Sequence, residues 1–270
     1  MQNTHNHRQF STVRRNFIQI HNYYMIDNDI EKIIKEIFDP MMDYNSDHFG
    51  TSYLPPNFDD IKEIAELISK NENEETFQKF FNTKPNLLFR TTPASGDTVA
   101  GFLVKPPIGN FHKADFAVFT IGQGGCGITL IEIERPSDNL FTQKLTPSAK
   151  LQTALGQVDD WSQWINKNKS TFTNTSLELL QNAPLHPKKS ANGSFKLFPN
   201  KNLKAMWTGF GGDEDCNFGY MVIIGRWSQL SDIERKRLLF YNKKNQPIFF
   251  QIKTYEQLIR NMIDGPSIIW

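Results

Sequence analysis

Apolar positions change period several times along the chain, and each change marks an element. Ile30, Ile33, Ile34 and Ile37 recur with helical spacing that Pro40 ends. The helical period returns at Ile61, Ile64, Ala65, Leu67 and Ile68, and after Asn71-Glu72-Asn73 the stripe Phe77, Phe80, Phe81 predicts a further helix from Glu74. Strand-like runs follow at 99–104, 113–119 and 130–136, the last two joined into a hairpin by the Gly-rich turn 122–127. A helix is expected from about 148 to 166, with Lys150, Ala154, Gln157 and Trp161 on one face and Leu151, Leu155, Val158 and Trp164 on an apolar face beside it. Residues 170–215 carry most of the Asn, Pro, Gly and Lys signals and read as loop, with short strands at 195–198 and 203–207. The β-branched run 219–226 reads as a buried strand, 231–241 as a helix opened by the Ser231/Glu234 capping box, 247–252 as a strand and 254–262 as a last helix. Strands alternating with helices predict an α/β layered domain.

The loop MMDYNSDHFGTSYLPPNFDD, with its Asn, Asp, Gly and paired Pro residues, reads as a boundary. It divides a small N-terminal extension, 1–57, whose default role is oligomerisation or docking, from a main domain, 58–270. A hydrophobic fraction of 39% and a charged fraction of 22% are those of an ordinary soluble protein. No apolar run is long enough to cross a bilayer, and the N-terminus lacks the apolar core of a secretory signal. A cytoplasmic protein without membrane contact is therefore expected, and Cys126 and Cys216, far apart and outside any CxxC spacing, fit a reducing compartment. The net charge of +1 does not decide for or against nucleic acid, because enzymes acting on DNA often carry only a local positive groove.

The chemistry concentrates in LIEIERP, 130–136. Alternation puts Leu130, Glu132 and Glu134 on one side of an extended chain and Ile131, Ile133 and Arg135 on the other. An amphipathic strand with buried isoleucines and solvated glutamates is the plainer reading. The hairpin, however, brings Asp115 toward Glu132, and oxygen ligands from two carboxylates are what a hard cation such as magnesium requires. On a helical wheel Glu74 falls about 60° from the Phe77/Phe80/Phe81 stripe while Glu75 points nearly opposite, so Glu74 is the acid facing the domain, or else a first-turn glutamate favoured by the helix dipole. Gln157 follows the acidic strand by one helix, where a nuclease uses an amide to hold a phosphate or the attacking water.

Taken together, EETFQKFFNTKPNLL, ADFAVF, IEIERP, PSAKLQTALGQVDDW, GYMVIIGR, SDIERKRLLFYN and IKTYEQLI resemble, over roughly residues 70–265, the Shedu family of bacterial anti-phage defence proteins. The C-terminal domain of that family belongs to the PD-(D/E)XK nuclease superfamily. The resemblance implies a restriction-endonuclease-like core, a central mixed β-sheet flanked by helices. It implies Asp115 and Glu132 as metal-binding acids and Gln157 with Trp161 as the Q-x-x-x-aromatic element. One departure is the glutamate at 134, where the family pattern has lysine; Glu134 can hold a second cation or act as base but supplies no positive charge. Lys150, on the face of Gln157, is the candidate for the missing charge, and Arg226 at the end of GYMVIIGR is a further candidate site residue. The expected activity is a metal-dependent DNA endonuclease in which Asp115, Glu132 and the main-chain carbonyl of Ile133 hold Mg2+, with Glu74 and Glu134 as further possible ligands and Mn2+ as substitute. The expected partners are DNA and further copies of the chain, as a dimer or tetramer. The alternative is a catalytically silent nuclease scaffold that binds DNA or a phage component and acts through assembly.

Overall fold

A computed structural model describes residues 58–89, 91–92, 98–122, 125–185, 192–209, 216–244 and 250–264, so the N-terminal extension and the role expected for it lie outside the described residues. Three helices precede the sheet: α1 (Phe58–Ser69), α2 (Glu74–Thr83) and the single turn α3 (Asn86–Phe89). The side chain of Asn73 caps α2 by accepting from the Thr76 amide at 3.0 Å, and α2 buries the predicted stripe Phe77, Phe80 and Phe81. Then come β1 (Thr98–Val104), a small ribbon of β2 (Pro107–Ile108) and β3 (His112–Lys113), and the hairpin β4 (Phe116–Gly122) and β5 (Gly125–Ile133). Helices α4 (Ala149–Lys167) and α5 (Lys169–Asn182), β6 (Phe195–Lys196) and α6 (Asn200–Gly209) lead to β7 (Asn217–Ile223), α7 (Asp232–Lys244), β8 (Phe250–Lys253) and α8 (Tyr255–Asp264).

The main sheet has six strands in the order β6-β1-β4-β5-β7-β8. β6, β1, β4 and β5 pair antiparallel, whereas β5, β7 and β8 run parallel. Parallel neighbours need long crossovers, and the helices between β5 and β7 and between β7 and β8 supply them. The predicted α/β class, a central mixed sheet flanked by helices, is the architecture of this domain.

Both faces of the sheet are covered. Ala117, Phe119, Ile128, Leu130, Tyr220, Val222 and Ile252 join one core cluster with Leu151, Ala154, Val158, Trp161 and Ile165 of α4. Phe116, Val118 and Ile131 are equally buried, and Phe116 meets Phe102 at 5.2 Å and Phe81 at 6.4 Å between ring centres. Since successive residues of a strand face opposite ways, every position of β5 from Ile128 onward is enclosed. The plainer expectation of solvated glutamates therefore fails: Glu132 is 9% and Glu134 4% exposed.

Two other expectations are corrected. Much of the supposed loop 170–215 is helical, because α5 buries Phe172, Thr173, Ser176 and Leu180, a stripe at helical spacing in which small polar residues take core places. The expected strand at 203–207 lies within α6, where Leu203 and Trp207, one turn apart, are buried together. The Ser231/Glu234 box forms as expected, the Ser231 amide donating to Glu234 Oε2 at 2.8 Å.

Both outer edges of the sheet are occupied by the chain itself. Beside β8 the Asn242 amide takes the place of a strand, accepting from the Ile252 N–H at 2.8 Å and donating to the Ile252 carbonyl at 2.9 Å. Beside β6, Leu185 forms a parallel bridge to Lys196, whose N–H donates to the Pro184 carbonyl at 3.0 Å.

Candidate active site

In the register of the sheet Val104 stands opposite Phe116, and Phe116 opposite Ile131. One residue beyond, the same register sets Lys105, Asp115 and Glu132 in one transverse row. Main-chain bonds extend the ladder there, Lys105 N–H donating to the Asp115 carbonyl at 2.8 Å and Asp115 N–H to the Ile131 carbonyl at 3.0 Å. Lys105 holds φ at 51°, a left-handed turn that ends β1 at the row.

Asp115 is 3% exposed, and each of its carboxylate oxygens is engaged. Oδ2 accepts from the Ile133 amide at 2.8 Å, which ties the acid to the strand that carries Glu132. Oδ1 accepts from Gln78 Nε2 at 2.7 Å and pairs with the Lys105 ammonium. The same Gln78 nitrogen reaches Glu74 Oε1 at 2.8 Å, one helical turn back, so Gln78 links Glu74 to the row. Burial, and then the charges of Asp115 and Glu134, raise the pKa of Glu74 above the usual carboxylate range. Glu75 is exposed and pairs with Lys79 at 2.9 Å, as the helical wheel requires.

Glu132 is the least satisfied group of the row. Its Oε2 is buried and has no hydrogen-bond partner among the described residues. Burial first, and the Asp115 charge second, push its carboxyl up to about 8, against the opposing pull of Lys105. Near neutral pH, with no further cation, this carboxyl keeps its proton.

Glu134 turns to Lys150, whose Nζ donates to Oε2 at 3.2 Å. Burial raises its pKa and Lys150 works against that rise. Its main chain is pinned on both sides, the N–H donating to the Ile223 carbonyl at 2.8 Å and the carbonyl accepting from the Tyr255 hydroxyl at 2.6 Å. Tyr255 is itself fully buried against Phe77, with ring centres 4.6 Å apart.

The fold thus gathers Asp115, Glu132, Ile133, Glu134, Glu74 and Lys150. Trp161 is a core residue, 1% exposed. Arg226 is buried and paired with Glu256, Nε to Oε1 at 3.4 Å, and Glu256 also accepts from the amides of Trp227 and Ser228 in the turn that follows. Gln157 lies half-buried on α4, two helical turns beyond Lys150. Two participants were not expected. Gln78 carries a faint signal in its spacing of four from Glu74, whereas Lys105 enters only through the pairing of β1 with β4.

No three His, Cys, Asp or Glu side chains among the described residues converge as a ligand cluster. A smaller donor set nevertheless fits magnesium, which keeps several waters and is held by one or two carboxylates. Asp115, Glu132 and the Ile133 main-chain carbonyl make that set, and the unpartnered Glu132 oxygen is the observation that speaks for it.

Residues 71–259 match the family model for the C-terminal region of the Shedu protein SduA. This chain belongs to the Shedu family. Membership implies a part in anti-phage defence, and the Shedu match runs from just before α2 into α8, so the whole row Lys105-Asp115-Glu132 lies inside it. None of the curated proteins matches the chain. Among the described residues of this Shedu chain no helix is long and apolar enough to cross a membrane.

Proposed function

We propose that the domain is a metal-dependent DNA endonuclease that hydrolyses phosphodiester bonds, with DNA and further copies of the chain as its partners. One observation carries the reading: a buried carboxylate oxygen without a partner stands next to a second buried acid in the same row of the sheet. Burial makes ionisation of this carboxyl costly, and a cation that takes the place of its proton relieves that cost. Asp115, Glu132 and the Ile133 carbonyl would hold Mg2+ or Mn2+, which would supply activation of the attacking water and neutralisation of charge on the scissile phosphate.

The chain's own groups keep that donor set in place. Gln78 and the Ile133 amide fix the orientation of the Asp115 carboxylate. The Ile223 carbonyl and the Tyr255 hydroxyl hold the backbone at Glu134, so the E-x-E segment keeps its alternation past the end of β5. Lys150 offsets the Glu134 charge, so the glutamate does not add a full negative charge beside an incoming phosphate.

Plasmid nicking in magnesium or manganese tests the proposal, comparing the parent with Asp115→Asn, which keeps an oxygen acceptor for the Ile133 amide. Nicking by the parent alone is expected, and equal nicking by the variant would overturn the assignment. The scaffold reading draws its support from Glu134 in the place of the family's lysine. A parent that binds DNA but is inert with both metals would favour it.

A further inference from the structure

We propose that Lys105 is the resident cation of this site: its ammonium holds the seat of the divalent ion at Asp115, gives it up when the ion binds, and then contacts the substrate phosphate. The first half is a statement about cation exchange alone, while the contact with phosphate rests on the endonuclease reading.

The two partners of the Lys105–Asp115 pair differ in exposure, 47% for the lysine side chain and 4% for the aspartate. The anion is thus fixed in the interior and the cation stands at the mouth. A lysine head is a compact, well-hydrated charge on a flexible stem, and a pair whose cationic half reaches water contributes little to stability, so it leaves its partner at small cost. The base of the side chain does not share that freedom. The left-handed turn at Lys105, its amide bond to the Asp115 carbonyl and the following Pro106 hold its main chain at the row. After release the ammonium therefore stays within a side chain's length of Asp115.

The present arrangement is also incomplete. Lys105 satisfies Asp115, but Glu132 Oε2 next along the row remains without a partner. A single positive charge answers one of two buried acids, and a divalent ion answers both, which is the driving force for exchange. Lys150 pairs with a buried acid in the same asymmetric way, but its partner Glu134 lies outside the donor set of Asp115, Glu132 and the Ile133 carbonyl, so Lys150 does not hold the seat of the ion. Lys105 thereby returns, from just past the end of β1, the positive charge that the glutamate at 134 withholds.

The test uses the full chain, with Mn2+ binding followed by the electron paramagnetic resonance of free Mn2+ and single-turnover plasmid nicking at saturating Mn2+. Parent, Lys105→Met and Lys105→Arg are compared, with Lys105→Gln giving the same reading should Lys105→Met not fold. Removing a competing cation of a half-exposed pair should tighten Mn2+ about fivefold in Lys105→Met. Its nicking rate at saturation should fall about a hundredfold, the scale of losing one transition-state charge contact. Lys105→Arg, which keeps the charge, should bind Mn2+ like the parent and recover part of the rate. Equal or weaker Mn2+ binding by Lys105→Met overturns the exchange and leaves the endonuclease reading standing if the parent nicks. Tighter binding with an unchanged saturated rate overturns the phosphate contact. Tighter binding by Lys105→Met with an inert parent upholds the exchange and defeats the endonuclease reading, while no Mn2+ binding by any of the proteins overturns both.

Discussion

Glu132→Gln keeps the shape of the side chain and removes its ability to ionise, which isolates the cost of the buried charge. In the folded protein without metal the carboxyl is pushed from its ordinary 4.5 up to about 8. The folded state therefore binds more protons than the unfolded chain between those values, and stability must fall as pH rises through that window and level off above it. Each pH unit crossed is worth about 1.4 kcal/mol, so the parent loses about 3 kcal/mol between pH 4.5 and pH 7, a loss the glutamine variant does not share. For a domain of this size 1 kcal/mol moves Tm by about 2–4 °C, which makes Glu132→Gln roughly 6–12 °C more stable than the parent near pH 7 and nearly equal to it at pH 5. Thermal unfolding followed by circular dichroism in EDTA, from pH 5 to about pH 8.5, measures the difference directly. Magnesium should then raise the Tm of the parent, more at pH 8 than at pH 6 because binding releases the proton, and should barely move the variant. Parallel pH profiles for the two proteins would refute the buried-charge argument at its root.

Glu134→Gln should fold like the parent, since the main chain at 134 is held by Ile223 and Tyr255, but should nick DNA more slowly; a fully active variant would remove Glu134 from the mechanism, and an inert parent restored by Glu134→Lys would favour the scaffold reading. Tyr255→Phe removes the donor to the Glu134 carbonyl and leaves that buried acceptor unpaired, a loss of about 1–3 kcal/mol by urea unfolding. It should also weaken metal-induced stabilisation, and an unchanged urea midpoint would mean that the 2.6 Å bond contributes nothing.

Local pattern and tertiary packing divide the legibility of this domain between them. The hairpin, the two faces of 130–134 and the inward turn of Glu74 follow from strand and helix periods alone, and each of these elements forms in the structure. What periodicity leaves open is which face meets water. The two glutamates of β5 and its end are buried because β7 pairs on one side of β5 and helices cover both faces, a fact set by segments nearly a hundred residues away. Lys105 joins Asp115 only once β1 is known to pair with β4, and Gln78 joins only once α2 is known to pack at that end of the sheet. Helix α5 is hidden in the sequence because Thr173 and Ser176 hold core positions that hydrophobicity would not assign to them. Arg226 looked available in the sequence and is claimed by Glu256, thirty residues on, which only the folded chain brings near.

The closed margins of the sheet bear on how copies of this domain are able to meet. An exposed edge strand is a template on which another chain can add, as happens in swapped dimers and in fibres. Here the Asn242 amide saturates the Ile252 position of β8 and the main chain at Pro184 saturates the Lys196 position of β6, so among the described residues neither margin offers a continuous run of open donors and acceptors. Association of this domain by extending its sheet would first require those bonds to be broken. Copies that come together without that cost must do so through side chains on helical or loop surfaces, and contacts of that kind can be altered one residue at a time while the sheet, and the row of charges at its end, stays as it is.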